Sequence, residues 1–450
     1  MMMEEESRAQ AFIEAGERIS SAARINYVDL LVDHARGALV YDADGKAYID
    51  LLASASTANV GHCHPKVVAA IQKQSERLLH YIPSYSYQSQ LESLAERLVD
   101  LTPGDFEKKV SFSTSGSEAN EAMIKFARAY TGRPYLISFT GAYHGSSYGA
   151  MTLSACSLNM RRKMGPLLPG IYHMPYPDPY RRQAGESDDQ LAERYLDQIR
   201  LAFETYLAPE EVACVLIEPI QGDAGIVIPP QAFIQGLYEL CQEYGILFAV
   251  DEINQGLGRT GKLWSIDHFG VVPDLMAIGK SLASGLPLSA LVGRSDIMES
   301  LGSPGHAFTS AGNPICTAAA LATLDVIEEE KLVQKSATNG AYVQEAFQKL
   351  QAKYPHIIGD VRCLGLNAGI ELVTDPETKE RDSQAASKIM TYLFDHGVLM
   401  VTLMGNVLRF QPPLMISRDL LDQALERLDQ AFAALDRGEI QVAEDVELGW

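Results

Sequence analysis

Lys280 stands in a short run of apolar and small residues, Ala277-Ile278-Gly279-Lys280-Ser281. Desolvation in such a setting lowers the pKa of an amine and makes it a nucleophile, whereas most lysines are solvated surface groups. Asp251 and Glu252 end an apolar run that begins at Ile246. A carboxylate there is a solvated strand end, a cap for the next segment, or the counter-charge of a cationic cofactor atom. Thr114-Ser115-Gly116-Ser117-Glu118 lies where a strand gives way to a helix. The free N–H groups and positive end of a helix make a phosphate cradle, to which Ser115 and Ser117 add hydroxyls while Gly116 admits a close backbone approach. An ordinary serine cap has the same pattern.

Other candidates are weaker. Tyr143-His144-Gly145 follows another apolar run and sets an aromatic ring and an imidazole at its end, though a packed tyrosine is the default reading. Gly256-Leu257-Gly258-Arg259-Thr260-Gly261 matches GxGxxG, but two carboxylates precede it and no helical pattern follows, so a dinucleotide site is rejected. His62 and His64 have no acidic or cysteine partner at ligand spacing and read as a loop pair; no metal is expected.

The elements that must position these residues alternate between β-rich runs and helical periodicity, the pattern of an α/β protein with a mostly parallel sheet. Residues 110–113, 135–140, 213–218 and 246–251 are nearly continuous apolar strands, as expected when helices cover both faces. Ligands of such sheets sit at the carboxyl ends of the strands. Ala119, Ala122, Met123, Phe126, Ala127 and Tyr130 recur at helical spacing. Ser417 can cap a helix with the stripe Leu421, Ala424, Leu425, Leu428, Phe432 and Leu435. Tyr41-Asp42-Ala43-Asp44-Gly45-Lys46 reads as a hairpin turn in an N-terminal piece outside the main sheet, and the tail after Gly438 as peripheral.

The 450 residues amount to about three times the usual ~150-residue domain. Hydrophobic residues at 47% and charged residues at 21% are ordinary for a globular protein and exclude disorder as its main state. With 37 basic and 58 acidic residues the net charge is −21, which repels nucleic acid and anionic membranes and requires any anion site to be locally positive. The acidic residues 1–10 carry no apolar stretch of the signal-peptide kind, and no run of ~18 apolar residues occurs, so a cytoplasmic protein is expected. Six cysteines scattered singly imply reduced, mostly buried thiols.

In their joint order, the phosphate-type turn, the Tyr-His-Gly, the strand ending Glu218-Pro219, the strand ending Asp251-Glu252 and then the lysine resemble the class III, ω-type aminotransferases of pyridoxal-phosphate fold type I. The resemblance runs from about residue 26 to 435 and is most specific from Phe248 to Gly256 and from Asp274 to Lys280. It implies a mostly parallel central sheet with helices on both faces in residues 61–328, and a smaller α+β domain from residues 1–60 and 329–450. It also implies that Lys280 holds pyridoxal phosphate as a Schiff base, that Asp251 pairs with the pyridinium nitrogen, and that Tyr143 stacks on the ring. Ser115, Gly116 and Ser117 would hold the phosphate, with His144 and Glu218 among the cofactor contacts. Thr309 would reach the phosphate of a neighbouring subunit, implying a homodimer with shared active sites, with a homotetramer as its further pairing. Arg409 falls where the family keeps an arginine for the substrate α-carboxylate, a role suited to a planar fork. Two positions depart from the pattern: Asn254 replaces a glutamine that reaches the cofactor's phenolic oxygen, and Asp223 replaces a glutamate that can pair with the carboxylate-binding arginine.

Within the family, residues 23–27, 51–56, 280–285 and 409–414 together are most similar to the amino-acid racemases and 2-epimerases. In that reaction Lys280 removes the Cα proton, and a second acid returns one on the opposite face. The shortened carboxylate makes Asp223 that second group. Ala55, Ser56 and Tyr85 lie in segments suited to line an apolar pocket, and no charged reader of a side chain stands out. Isoleucine to D-allo-isoleucine, with valine, leucine and methionine, is the expected substrate range, because an apolar pocket separates one methylene by only ~1–3 kcal/mol. The alternative is an aminotransferase using a 2-oxo acid acceptor.

Overall fold

Strands as uniformly apolar as Val212–Ile217 and Leu247–Asp251 are buried along their whole length and need cover on both faces. The computed structural model, which describes residues 8–21, 23 and 27–441, sets them at the centre of a seven-stranded sheet. Its strands are β1 (Lys108–Ser113), β2 (Tyr135–Phe139), β3 (Ile171–Met174), β4 (Val212–Ile217), β5 (Leu247–Asp251), β6 (Leu275–Ile278) and β7 (Ser289–Arg294), in the order β1-β7-β6-β5-β4-β2-β3. From β3 to β6 every pairing is parallel, and β7 runs antiparallel to both β6 and β1. Residues 1–7, Ala22, Arg24, Ile25, Asn26 and the tail beyond 441 lie outside the described residues.

Helix α1 (Gly116–Thr131) covers one face with Ala119, Ala122, Met123, Phe126 and Ala127 against Leu136, Leu216, Ala249 and Ala277. Tyr130, expected on that stripe, is exposed, and its hydroxyl donates to Asp296 Oδ2 at 2.7 Å. The helices Asp188–Thr205 and Gln231–Tyr244 cover the other face through Leu196, Ile199, Phe233 and Leu237. Helices therefore lie on both faces.

Both ends of the chain meet in a second sheet. The expected hairpin joins Leu39–Asp42 to Ala47–Asp50, its turn closed by Asp42 Oδ1 accepting from the backbone N–H of Asp44 (3.0 Å) and Lys46 (2.8 Å). Ala47–Asp50 then pairs in parallel with Val398–Leu399. A third sheet contains Ala368–Asp375 beside Val407–Phe410, the strand that carries Arg409. Helix Arg418–Asp436 packs against the helices Ser383–Asp395 and Leu332–Lys353, and Ser417 Oγ accepts from Leu420 N–H (3.2 Å) as its cap. All six cysteines are free, and among the described residues no helix is long and apolar enough to cross a membrane.

The GxGxxG loop is a packing surface. Gly365, at φ +62°, sits so close to it that an added Cβ would lie 2.3 Å from the carbonyl carbon of Thr260 and 2.4 Å from the N of Gly261. Positive φ and a backbone clash together make Gly365→Ala a loss of ~2–4 kcal/mol. We expect a thermal midpoint several degrees below wild type in paired scans at one rate; an unchanged midpoint would contradict this packing.

Candidate active site

The carboxyl ends of β4 and β5 and the start of α1 converge on a cavity of about 220 Å³ lined by Ser115, Gly116, Ser117, Tyr143, His144, Glu218, Asp223, Asp251, Asn254 and Lys280. Side chains alternate along a strand, and the end of β5 shows the consequence. Asp251 turns into the cavity, where Oδ2 accepts from His144 Nδ1 (2.8 Å) and Asn120 Nδ2 (2.8 Å), and Oδ1 from Ile253 N–H (3.0 Å). Glu252 turns away and caps the following turn by accepting from the N–H of Ser265 (2.9 Å) and Ile266 (2.7 Å). Glu218, just past β4, accepts from the N–H of Tyr143 (2.9 Å) and Gly222 (2.9 Å). Burial pushes its carboxyl up to about 7, with Asp251 adding, and pushes Glu252 up to about 8.

At the helix start, Ser115 Oγ accepts from Glu118 N–H (3.3 Å) and Ser117 Oγ from Ser146 N–H (3.0 Å). A Cβ on Gly116 would lie 2.9 Å from Ile253 Cδ1, so any larger residue there must displace the Ile253 side chain. Tyr143 is half-buried beside it, and desolvation raises its phenol.

Lys280 occupies the left-handed region at φ +47°. Burial lowers its amine pKa, Asp223 opposes that shift, and Arg409 reinforces it. With the Asn254 amide oriented as its neighbours require, its oxygen accepts from Lys280 Nζ (2.9 Å) and Arg409 Nη2 (3.1 Å), while its nitrogen donates to Ser56 Oγ (3.2 Å). The shorter amide thus joins the amine to the guanidinium. Arg409 also donates through Nε to Gln411 Oε1 (2.5 Å) and lies 3.5 Å from Asp223 Oδ1 through Nη1. Aspartate reaches the arginine after all, at a distance looser than a charge-assisted hydrogen bond.

Four expected site residues do not line the cavity: Arg409, which touches its lining through Asn254 and Asp223, and Thr309, Tyr85 and Ala55, which lie apart. Thr309 is exposed in a loop, and Tyr85 is 78% exposed in the turn Pro83–Tyr85. Ala55 is half-buried in a left-handed turn in which Ala53, Ser54, Ala55 and Ser56 have φ of +48°, +49°, +57° and +66°. Each such residue costs ~1–2 kcal/mol. The turn is held by Asp50 Oδ1, which accepts from Leu52 and Ala53 N–H (2.8 and 2.9 Å), and by Ser56 Oγ donating to Gln411 Oε1 (2.8 Å). His62 and His64 have carboxylate partners that their spacing did not suggest, Asp50 (2.7 Å) and Glu330 (2.9 Å), on different elements. Among the described residues no group of three or more His, Cys, Asp or Glu could hold a metal ion.

Sequence reasoning also passed over Asn120, Ser281, Gln411, Arg259 and the role of Tyr27. Asn120 is a buried polar residue beside the apolar stripe of α1, which was its one signal; it fixes both Asp251 and, at 2.8 Å, the His144 carbonyl. The Tyr27 hydroxyl is raised by burial and by Asp223, which places it near the carboxylate end of the site.

Residues 20–432 match the family model Aminotransferase class-III. The chain belongs to the class-III aminotransferase family. It is 56% identical to an isoleucine 2-epimerase of Lentilactobacillus buchneri over 97% of each chain, and 42% identical to a leucine/methionine racemase of Thermococcus litoralis over 96% of this chain and 97% of that one. An ornithine aminotransferase of Toxoplasma gondii, crystallised with partial occupancy of PLP at its active site, superposes with a TM-score of 0.83 at 28% identity over 95% of each chain. The fold is type I of the pyridoxal-phosphate enzymes. As a class-III member, the chain offers that cofactor what its chemistry needs: a helix start with two serines for a phosphate, a carboxylate fixed by three donors for a pyridinium, an aromatic side chain, and a buried amine for an aldehyde.

The two raised carboxyls have a measurable consequence. The fold binds their protons more tightly than the unfolded chain, so their stabilising contribution is full below pH 4.5 and is lost as pH rises through about 7 for Glu218 and about 8 for Glu252. For Glu218 the shift corresponds to about 3 kcal/mol. Glu218→Gln is expected to flatten the fall of the denaturation midpoint between about pH 5 and about pH 8. The comparison is of slopes, and a slope equal to wild type would remove Glu218 from this role.

Proposed function

We propose that this chain is a pyridoxal-phosphate-dependent racemase that epimerises aliphatic amino acids at Cα, with isoleucine and D-allo-isoleucine as a principal pair and valine, leucine and methionine as further substrates. The observation that carries the reading is one cavity holding a desolvated amine, Lys280, and a carboxylate, Asp223, with Arg409 beside both. The likeness to an isoleucine 2-epimerase and a leucine/methionine racemase supports it.

When bound, pyridoxal phosphate withdraws electrons from Cα of the amino acid attached to it and makes that proton removable. Ser115, Gly116 and Ser117 hold its phosphate, Tyr143 its ring face, and Asp251, oriented by His144 and Asn120, its ring nitrogen; Glu218 braces the backbone of Tyr143. Arg409 takes the substrate carboxylate, and Asn254 keeps the guanidinium in reach of Lys280. Lys280, kept deprotonatable by burial, takes the Cα proton from one side. Asp223 delivers one from the other, which inverts the centre. A racemase needs no acceptor acid.

Residues 61–328 are assigned to the cofactor-holding domain, and 1–60 with 329–450 to a smaller one that supplies Arg409. Leu79, Tyr81, Tyr85 and Tyr87 form an exposed apolar group, which supports a homodimer in which Thr309 and Tyr85 act across the boundary and Ala55 lines the pocket behind Ser56. Pairing of dimers into a homotetramer extends the same proposal. Free thiols suit a cytoplasmic setting.

L-isoleucine incubated in D₂O with protein and pyridoxal phosphate, without any 2-oxo acid, should give deuterated D-allo-isoleucine in large excess over enzyme on chiral chromatography. If turnover instead requires added 2-oxoglutarate or pyruvate, the chain is an aminotransferase. Asp223→Asn should lower epimerisation in both directions by ~100-fold or more, while the cofactor absorbance is retained. Wild-type rates in that variant would exclude Asp223 as the second acid.

A further inference from the structure

Arg259 belongs to the GxGxxG loop that packs against Gly365, and it is wholly buried, with 0% exposure. Among the described residues no carboxylate pairs with it; its partners are neutral oxygens. Nη1 donates to the carbonyls of Leu366 (2.8 Å) and Pro412 (2.6 Å), and Nη2 to Asn59 Oδ1 (2.6 Å). Asn59 Nδ2 in turn donates to the Leu257 carbonyl (3.2 Å) and to Ser281 Oγ (3.2 Å). The Arg259 carbonyl accepts from Ser336 Oγ (3.0 Å), which itself accepts from Leu366 N–H (3.0 Å).

The tied segments are those on which the site depends. Ser281 follows Lys280. Pro412 follows Gln411, whose Oε1 receives Arg409 Nε, and Leu366 precedes Asn367, whose Oδ1 receives Gln411 Nε2. One guanidinium therefore joins the segment of the amine to both segments behind the carboxylate-binding arginine. We propose that Arg259, with Asn59, is a positioning residue that sets Arg409 at a fixed reach from Lys280, and so makes recognition of the substrate carboxylate depend on a residue outside the cavity.

A planar fork with two forward donors can serve two carbonyls and an amide at once; an ammonium on a flexible stem cannot hold that plane. Hydrogen bonds from a charged donor are individually strong, and burial leaves them no competing water. A residue that merely stabilised the fold would weaken every ligand alike. A residue that positions Arg409 weakens only ligands that carry a carboxylate.

The inference rests on the racemase reading, in which an amino acid binds between Lys280 and Arg409. The test uses the full-length holoenzyme, titrated with L-isoleucine and with 2-methylbutylamine, the same side chain without the carboxylate, and read by the cofactor's absorbance. Arg259→Lys should weaken binding of L-isoleucine ~10-fold or more while the amine constant stays within about twofold, corresponding to a selective loss near 1.4 kcal/mol. The KM for isoleucine should rise more than kcat falls. Asn59→Ala, which removes one acceptor and the link to Ser281, should shift the same ratio in the same direction to a smaller extent, and it carries the test if Arg259→Lys does not fold. Equal weakening of both ligands, or of neither, overturns the proposal. Wild-type holoenzyme that binds the amine but not isoleucine overturns the racemase reading and this inference with it.

Discussion

Two cations share one buried corner of this molecule, and everything around them is arranged so that both can stay there. Arg409 lowers the proton affinity of Lys280, and burial lowers that of both. Asp223 is the carboxylate nearest to both, and the Asn254 oxygen accepts from both. Arg409, held by the Asn254 oxygen and with Asp223 Oδ1 3.5 Å away, is the fixed positive charge of this corner inside a protein of net charge −21. An incoming carboxylate therefore meets local attraction against a repulsive far field.

Holding that corner together is costly to the backbone, and the strain is visible where it should be. Lys280 itself lies at positive φ, and four consecutive residues before Thr57 do so to bring Ser56 to Gln411 and Asn254. Strained backbone persists only when its surroundings over-determine it. Here Asp50 fastens the beginning of the turn and Gln411 its end, and His62 holds Asp50 in turn.

Much of the frame was readable from residue types. Apolar runs ending in polar residues located the central strands to within one or two residues, and the carboxyl ends of those strands are where the cavity lies. The alternation of side chains at Asp251 and Glu252 follows from strand geometry, although which of the two faces inward needed the following turn, whose backbone N–H groups claim Glu252. Asn120 and Arg259 were not readable as members of the site. Asn120 meets Asp251 and Arg259 meets Asn59, Leu366 and Pro412 from more than a hundred residues away, and nothing at their own positions carries that information. The same holds for His62 and His64, whose carboxylates come from separate elements and cancel the apparent motif. Tyr85 and Thr309 show the complementary difficulty, since a single chain leaves them on its surface.

The two departures from the family pattern, Asn254 and Asp223, bear on the same residue. Both replace a side chain longer by one methylene, and both now end against Arg409. A longer carboxylate can swing an arginine between two arrangements, which suits an enzyme that must receive two different acids in turn. A shorter one at 3.5 Å, with an amide bridging to Lys280 and Gln411 fastening Nε, leaves the arginine held at each of its three nitrogens. Preorganisation of that kind favours a reaction in which the substrate enters and leaves with the same carboxylate in the same place, and in which only the configuration at Cα changes. Asp223, so placed, lines the same cavity as Lys280 while still lying against the guanidinium. The same two lost methylenes therefore converge on one guanidinium.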